Sequence, residues 1–503
     1  MVRKNRSRLN FILKLINKPI FWVLFIGITV FLLRLPTLFE PHRYADEEIY
    51  LTLGQAFRKG LVFYRDIHDN KPPFLYLIAA LAGTITWFRF ILFFWHAVNV
   101  LVFWFLAKAI LKKNPLWLIG TTTFIFALIT TLPIIEGNIA NGENFMILPG
   151  TLGALLLWCY RNRLKSPAFL IAGILFAIAF LFKVPIVFDL IGISLFLTLG
   201  IHKNLKTKLK FFFSPAPWLL LIGFLFPILI SVAYYAFKGA AQPYVTAALM
   251  QNINYLSSWE QSKAFTITSL WSYGLFQRGV VLLVFTALLL SLQKLLTERT
   301  LFVLLWFIFS LYGALLSGRP YPHYFLEPIL PFCLMLGLFI KEKINEKFAI
   351  LLVALLLPIS VCFYHVWYYQ SLPYYQNFLE FSLGKKTKTE FFGFFDGVNR
   401  NYQIAEYIVN HTSPDEKIFV WGTEPAIYSL SNRLPVGRYT VSYHIADFNA
   451  WKETMITLNK EKPSFIIKML NEPKTFSQLN TFLREYYLPV KTINEAVIYH
   501  KIY

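Results

Sequence analysis

The sequence predicts a polytopic α-helical membrane protein with a small C-terminal α/β domain, and three observations predict it. Hydrophobic residues make up 56% of the 503 positions, above the roughly 45–50% of soluble domains. Mean hydropathy is +0.53, and charged residues fall to 15%. Up to about residue 370 the apolar residues gather into runs near the ~20 residues that cross a bilayer; beyond it the composition changes.

The first run, 21–33, follows a basic N-terminus (Arg3, Lys4, Arg6, Arg8, Lys14, Lys18). The positive-inside rule therefore predicts a cytoplasmic N-terminus. Arg34-Leu35-Pro36 stands where a cleavage site would need small residues, so this run reads as an uncleaved anchor. Further spans are expected near 90–110, 115–134, 145–160, 166–182, 184–201, 214–237, 276–293, 300–317, 324–340 and 348–367. That makes about eleven in all. The loops carrying Lys108/Lys112/Lys113, Arg161/Arg163/Lys165, Lys203/Lys206/Lys208/Lys210, Lys294/Arg299 and Lys341/Lys343/Lys347 all fall on the cytoplasmic side of this count. The run 74–88 is short for a crossing, and counting it would invert every later loop. It and 45–59 are expected to lie on or dip into the outer leaflet, the latter with Ile49, Leu53, Ala56 and Phe57 at helical spacing.

The net charge of +21 sits largely in these short loops, where it sets topology and meets anionic headgroups. Nucleic-acid binding is not implied. Cys159, Cys333 and Cys362 lie inside apolar segments and form neither a disulfide framework nor a zinc motif. The expected domains are a membrane domain, 1–370, a linker, 371–401, and an α/β domain, 402–503. In the last, helix-like 402–411, 450–460 and 475–486 precede strand-like 417–421, 464–468 and 489–499. This alternation predicts a small, largely parallel sheet. An odd span count places it outside the cell membrane. Its polar residues (Glu424, His444, Asp447) show no nucleophile-and-base spacing, so the domain is expected to serve the acceptor and not the transfer.

The first external loop, 38–89, holds the strongest chemical signal. Asp46, Glu47 and Glu48 open its helix. Acids favour a helix N-terminus, but a cap accounts for one of them. Asp46 and Tyr50 share a helix face while Glu47 points ~100° away, and a base fixed on a helix suits proton abstraction from a positioned hydroxyl. Lys71, before Pro72-Pro73, has its chain direction set by the prolines. His68 with Asp66 and Asp69 is a weak metal-ligand pattern. Lys183 shares the apolar stretch 169–199 only with Asp189, and intramembrane charges are functional candidates. Ser317 to Tyr324 forms a short external turn with Arg319, His323 and Tyr324; Arg suits bidentate phosphate contact. Arg89 starts the second span on the same side. Glu136, Asn141 and Glu143 in one outer loop, and Asn252, Asn254 and Tyr255 in another, offer partners for sugar hydroxyls.

The Asp-Glu pair after the first span, followed by Tyr64-Arg65-Asp66 and then Lys71-Pro72-Pro73, resembles the GT-C membrane glycosyltransferases. The resembling branch is family 39: protein O-mannosyltransferases, lipid A aminoarabinose transferases and relatives. Arg34, Arg89, Glu143, Lys183 and Arg319-x-x-x-His323-Tyr324 extend the resemblance over most of the membrane region. It implies that Asp46 is the base and that Lys71 helps hold a lipid-phosphate donor. Lys183, Arg319, His323 and Arg89 are expected on the same phosphate, and Glu47, Tyr50, Asp66, Glu143, Asn252, Asn254 and Tyr324 on the substrates. The resemblance implies no organic cofactor and leaves a divalent metal open; aminoarabinose transferases have a metal-associated glutamate where this chain has Asn70, which counts against one. The implied activity is inverting transfer of a sugar from polyprenyl phosphate to a hydroxyl of a glycan, lipid or protein. A flippase for lipid-linked saccharides would use the same cations without a base, but would be expected to show repeated halves.

Overall fold

The computed structural model describes residues 16–112, 114–201, 211–251 and 274–502. Asn252, Asn254 and Tyr255 lie outside them. A helix underlies each expected span: Pro19–Arg34, Ile85–Ile110, Leu116–Ile129, Gly142–Tyr160, Ala168–Phe180, Val187–Leu195, Pro215–Phe237, Gly274–Ser291, Glu298–Ala314, Leu326–Lys341 and Ile344–Ala354, the last continued by Leu356–Phe363. Among the described residues, six helices are long and apolar enough to cross a membrane by themselves. The protein is a multi-pass membrane protein.

The chain divides into two compact units, one of residues 1–35, 92–231 and 252–371, the other of 36–91, 232–251 and 372–503. The first is a helical bundle. Its Ala168–Phe180 and Pro215–Phe237 helices meet backbone to backbone: a Cβ on Gly173 would lie 2.2 Å from the Leu220 carbonyl oxygen, and one on Gly223 2.2 Å from that of Leu170. Small residues permit this approach, and close packing replaces the hydrophobic drive that lipid does not supply. The opposite stripe of the second helix, Trp218, Ile222, Phe226 and Leu229, is exposed, as a lipid-facing surface is.

The second unit joins the first loop to the C-terminal domain. The run 74–88 contains a helix, Phe74–Ala82, ended by Gly83 at φ 76°, and then the start of Ile85–Ile110. At ~1.5 Å per residue the nine-residue helix is too short to span. It crosses the Ala45–Arg58 helix at Gly54, where a Cβ would meet the Ala80 nitrogen at 2.6 Å. Residues 371–401, expected to link the two parts, form the helices Ser371–Ser382 and Lys388–Gly393 around Tyr374, Phe391, Phe392 and Phe395.

The C-terminal sheet has the order β1 (Phe419–Trp421), β2 (Phe465–Met469), β4 (Ala496–Lys501), β3 (Tyr487–Ile493). Only β1 and β2 are parallel; β4 is antiparallel to both β2 and β3. The expected largely parallel sheet is thereby corrected. The run 489–499 is two strands, because Asn494 adopts φ 47° and turns the chain back as a hairpin.

Candidate active site

Three consecutive acids at the start of the Ala45–Arg58 helix have three different environments. Successive helical side chains diverge by about 100°, and each finds its own partners. Glu47, fully buried, lies 2.6 Å from Arg89 Nη2. Arg89 also approaches Glu40 at 3.7 Å and donates to the Glu40 carbonyl at 2.8 Å. Glu48, also buried, accepts from the Ser429 hydroxyl and bonds His42 Nδ1 at 2.7 Å. Asp46 keeps 27% of its side chain exposed, accepts from the Tyr50 hydroxyl at 2.8 Å and lies 3.5 Å from Lys71 Nζ. Arg89 and Glu47, expected on the donor phosphate and the substrates, are buried and turned on each other.

Lys71 is held from several sides. Tyr64, at φ 70°, donates its hydroxyl to the Lys71 carbonyl at 2.8 Å. Such a conformation costs a non-glycine residue ~1–3 kcal/mol and persists where surrounding contacts fix it. The Lys71 N–H donates to the Tyr76 hydroxyl at 3.0 Å, and that hydroxyl donates to Asp69 at 2.9 Å. The ammonium is then shared between Asp46 at 3.5 Å and Asp69 at 3.6 Å, over the Tyr50 ring. Burial opposes ionisation of Asp69. Lys71, His444, the Asn70 N–H and Tyr76 overcome it and hold the carboxyl down at about 2.

The C-terminal domain reaches this loop in the same unit. The His68 N–H donates to the Arg438 carbonyl at 2.8 Å, and its ring packs on Phe448 and Tyr439. Burial drives the His68 imidazole down to about 3. Gln55 donates to the Ser429 carbonyl at 2.9 Å, and His444 Nε2 approaches Asp69 at 3.5 Å. His444 is buried. Asp66 pairs with Arg65, which holds its carboxyl below the usual range. Asp66, His68 and Asp69 do not converge: among the described residues no group of three His, Cys, Asp or Glu side chains is placed to hold a metal.

The other unit has its own polar cluster. Asn141 caps the Gly142–Tyr160 helix through the Asn144 N–H at 3.0 Å, which fixes Glu143 in its first turn. Glu143 lies 2.9 Å from Lys183 Nζ and 3.9 Å from His323 Nε2, while His323 Nδ1 bonds Glu136. Lys183 also sits over the Tyr324 ring. Its carboxylate partner is thus Glu143 and not the sequence-nearer Asp189. Arg319 lies in the same turn as His323, its N–H on the Ser317 hydroxyl. Arg34 closes the loop before the Gly142–Tyr160 helix by donating to the Gly137 carbonyl at 2.7 Å. Tyr76 and His444 are the residues sequence reasoning missed: the first is one tyrosine in an apolar run, and the second meets Asp69 only through the fold.

No protein-family model matches this sequence, and no curated protein does. Solved structures do. The chain resembles ArnT from Cupriavidus metallidurans bound to undecaprenyl phosphate, with a TM-score of 0.56 and 12% identity over 96% of this chain and 98% of that one. The chain has the ArnT fold. It matches the apo state of the same protein with a TM-score of 0.50 and 12% identity, over 95% of this chain and 97% of that one. ArnT is a lipid A aminoarabinose transferase of the GT-C class, so the fold is the one the first-loop motifs implied.

Proposed function

We propose that the protein is an integral-membrane inverting glycosyltransferase, moving a sugar from a polyprenyl-phosphate donor to an acceptor hydroxyl at the extracytoplasmic face of the cell membrane. One observation carries the reading: of the three adjacent acids, Asp46 alone is part-exposed, fixed by Tyr50 and 3.5 Å from a lysine. An ArnT with undecaprenyl phosphate bound supports a polyprenyl donor. The N-terminus is cytoplasmic and residues 402–503 external in this reading.

In the reaction the acceptor oxygen attacks the anomeric carbon as the bond from that carbon to the phosphate oxygen breaks. Polyprenyl phosphate leaves with the bonding electrons, and Asp46 takes the acceptor proton. Lys71 binds the phosphate and stabilises the charge growing on it, usually the largest catalytic contribution. Asp69 and Asp46, which share Lys71, keep its ammonium aimed. Lys183, His323 and Arg319 supply cations of the same chemistry in the other unit, with Glu143 and Tyr324 beside them. Arg89 and Glu47 are left out of the ligand contacts.

Purified protein incubated with a panel of polyprenyl-phosphate sugars tests this. Release of polyprenyl phosphate that depends on an acceptor hydroxyl is expected. Movement of a lipid-linked sugar across vesicles without transfer would refute the enzyme and favour a flippase.

A further inference from the structure

One imidazole from the C-terminal domain enters the charged network of the first loop. His444 is 3% exposed, and its ring is enclosed by Tyr443, Phe448 and His68. Its Nε2 lies 3.5 Å from Asp69 Oδ1. That oxygen has no hydrogen bond from any described residue. The other Asp69 oxygen is engaged by Tyr76 at 2.9 Å and Lys71 at 3.6 Å. His444 and Lys71 therefore address opposite oxygens of one fully buried carboxylate. Burial lowers the His444 pKa, so the ring is neutral near pH 7, and a carboxylate facing Nε2 selects the tautomer with its proton there.

We propose that His444 is a positioning residue for the transfer reaction. By presenting Nε2–H to Asp69 it takes up part of that carboxylate's charge. Lys71 then stays divided between Asp69 and Asp46, 3.6 and 3.5 Å away, and can turn to a donor phosphate. Without His444 the buried Asp69 has Lys71 as its main compensation. The ammonium then closes on Asp69 toward the ~2.7–2.9 Å of a charge-assisted hydrogen bond, and the donor must break that pair to bind. The inference rests on the donor-binding part assigned to Lys71 in the proposed function.

The test compares full-length wild type, His444→Phe and His444→Gln, whose amide nitrogen reaches about as far as Nε2. Two readouts are taken: kcat and KM for a polyprenyl-phosphate sugar, and the rate of Lys71 reductive methylation, followed by peptide mass spectrometry. His444→Phe is expected to raise donor KM ~3–10-fold, the scale of one weak polar contact to a buried charge, with a smaller fall in kcat. Lys71 methylation should slow by a similar factor, because the ammonium is held more tightly. His444→Gln should restore most of both. If His444→Phe fails to fold, His444→Asn, too short to reach Asp69, takes its place. Unchanged methylation and KM, or a Gln variant no better than Phe, overturns the proposal. The methylation readout needs no donor, so slowed methylation in a protein that transfers no sugar would leave His444 standing and remove the proposed function.

Discussion

Replacing Asp46 by Asn tests the base assignment with little structural disturbance. Asn keeps the side-chain shape and an oxygen for the Tyr50 hydroxyl, now 2.8 Å away. It loses the ion pair with Lys71, whose two side chains are 15% and 27% exposed at 3.5 Å. A part-exposed pair of that length is worth at most ~1 kcal/mol, so thermal unfolding in detergent should shift by only a few degrees. Catalysis should suffer far more. Loss of a general base costs about 10² to 10⁴ in turnover, or roughly 3–5 kcal/mol on the barrier. Donor KM should change far less than turnover: losing the Asp46 charge leaves Lys71 to Asp69, but His444 still faces that carboxylate. The assay is release of polyprenyl phosphate under saturating acceptor, with wild type and variant matched for folded fraction. Near-normal turnover by a folded Asp46→Asn protein would refute the assignment.

Three further outcomes are expected. Arg89→Leu leaves Glu47 buried without its cation and should cost ~3–5 kcal/mol, read as a large drop in the unfolding midpoint; adding Glu47→Leu should recover much of it. Acid should destabilise the loop through His68, which titrates at about 3 when folded against ~6.5 unfolded. The unfolded chain binds that proton more readily, so the contribution is complete above pH ~6.5 and is lost progressively as pH falls toward 3; His68→Phe should flatten this part of a stability–pH curve. Asp69, at about 2 when folded, acts in the same direction lower down. Reporter fusions after Lys343 and after Tyr503 should read cytoplasm and exterior respectively, and a cytoplasmic C-terminus would refute the sidedness.

The helices of the bundle were legible because bilayer thickness imposes their length on the sequence. The run 74–88 was legible as a non-span for the same reason, although its break at Gly83 was not. Local spacing also showed the Asp46–Tyr50 pair, since a helix brings residues four apart onto one face. Pairings that cross the chain were not legible. Nothing near Glu47 in sequence announces Arg89, which meets it from the start of the Ile85–Ile110 helix, and nothing near Asp69 announces His444, a contact that exists because the loop and the C-terminal domain fold as one unit. The hairpin of β3 and β4 was missed for a local reason. The run 489–499 is β-prone on both sides of Asn494, and read as one strand it hides the turn signal that Asn494-Glu495 carries.

Environment separates Asp46 from its neighbours more sharply than a motif does. A general base must reach solvent or substrate and must be able to gain a proton without breaking its surroundings. Glu47 is the bidentate partner of Arg89 in a site about 1% exposed. Glu48 is held by His42 and Ser429 together. Removing a partner of either buried acid would cost several kcal/mol, so both are committed to the structure of the loop. Asp46 is 27% exposed. Tyr50 can remain on one oxygen, and Lys71, once turned to a phosphate, no longer opposes the proton's arrival. In the proposed mechanism, environment and not residue type divides three chemically near-identical carboxylates into one base and two anchors. The anchors matter to the base because they fix the helix from which it projects.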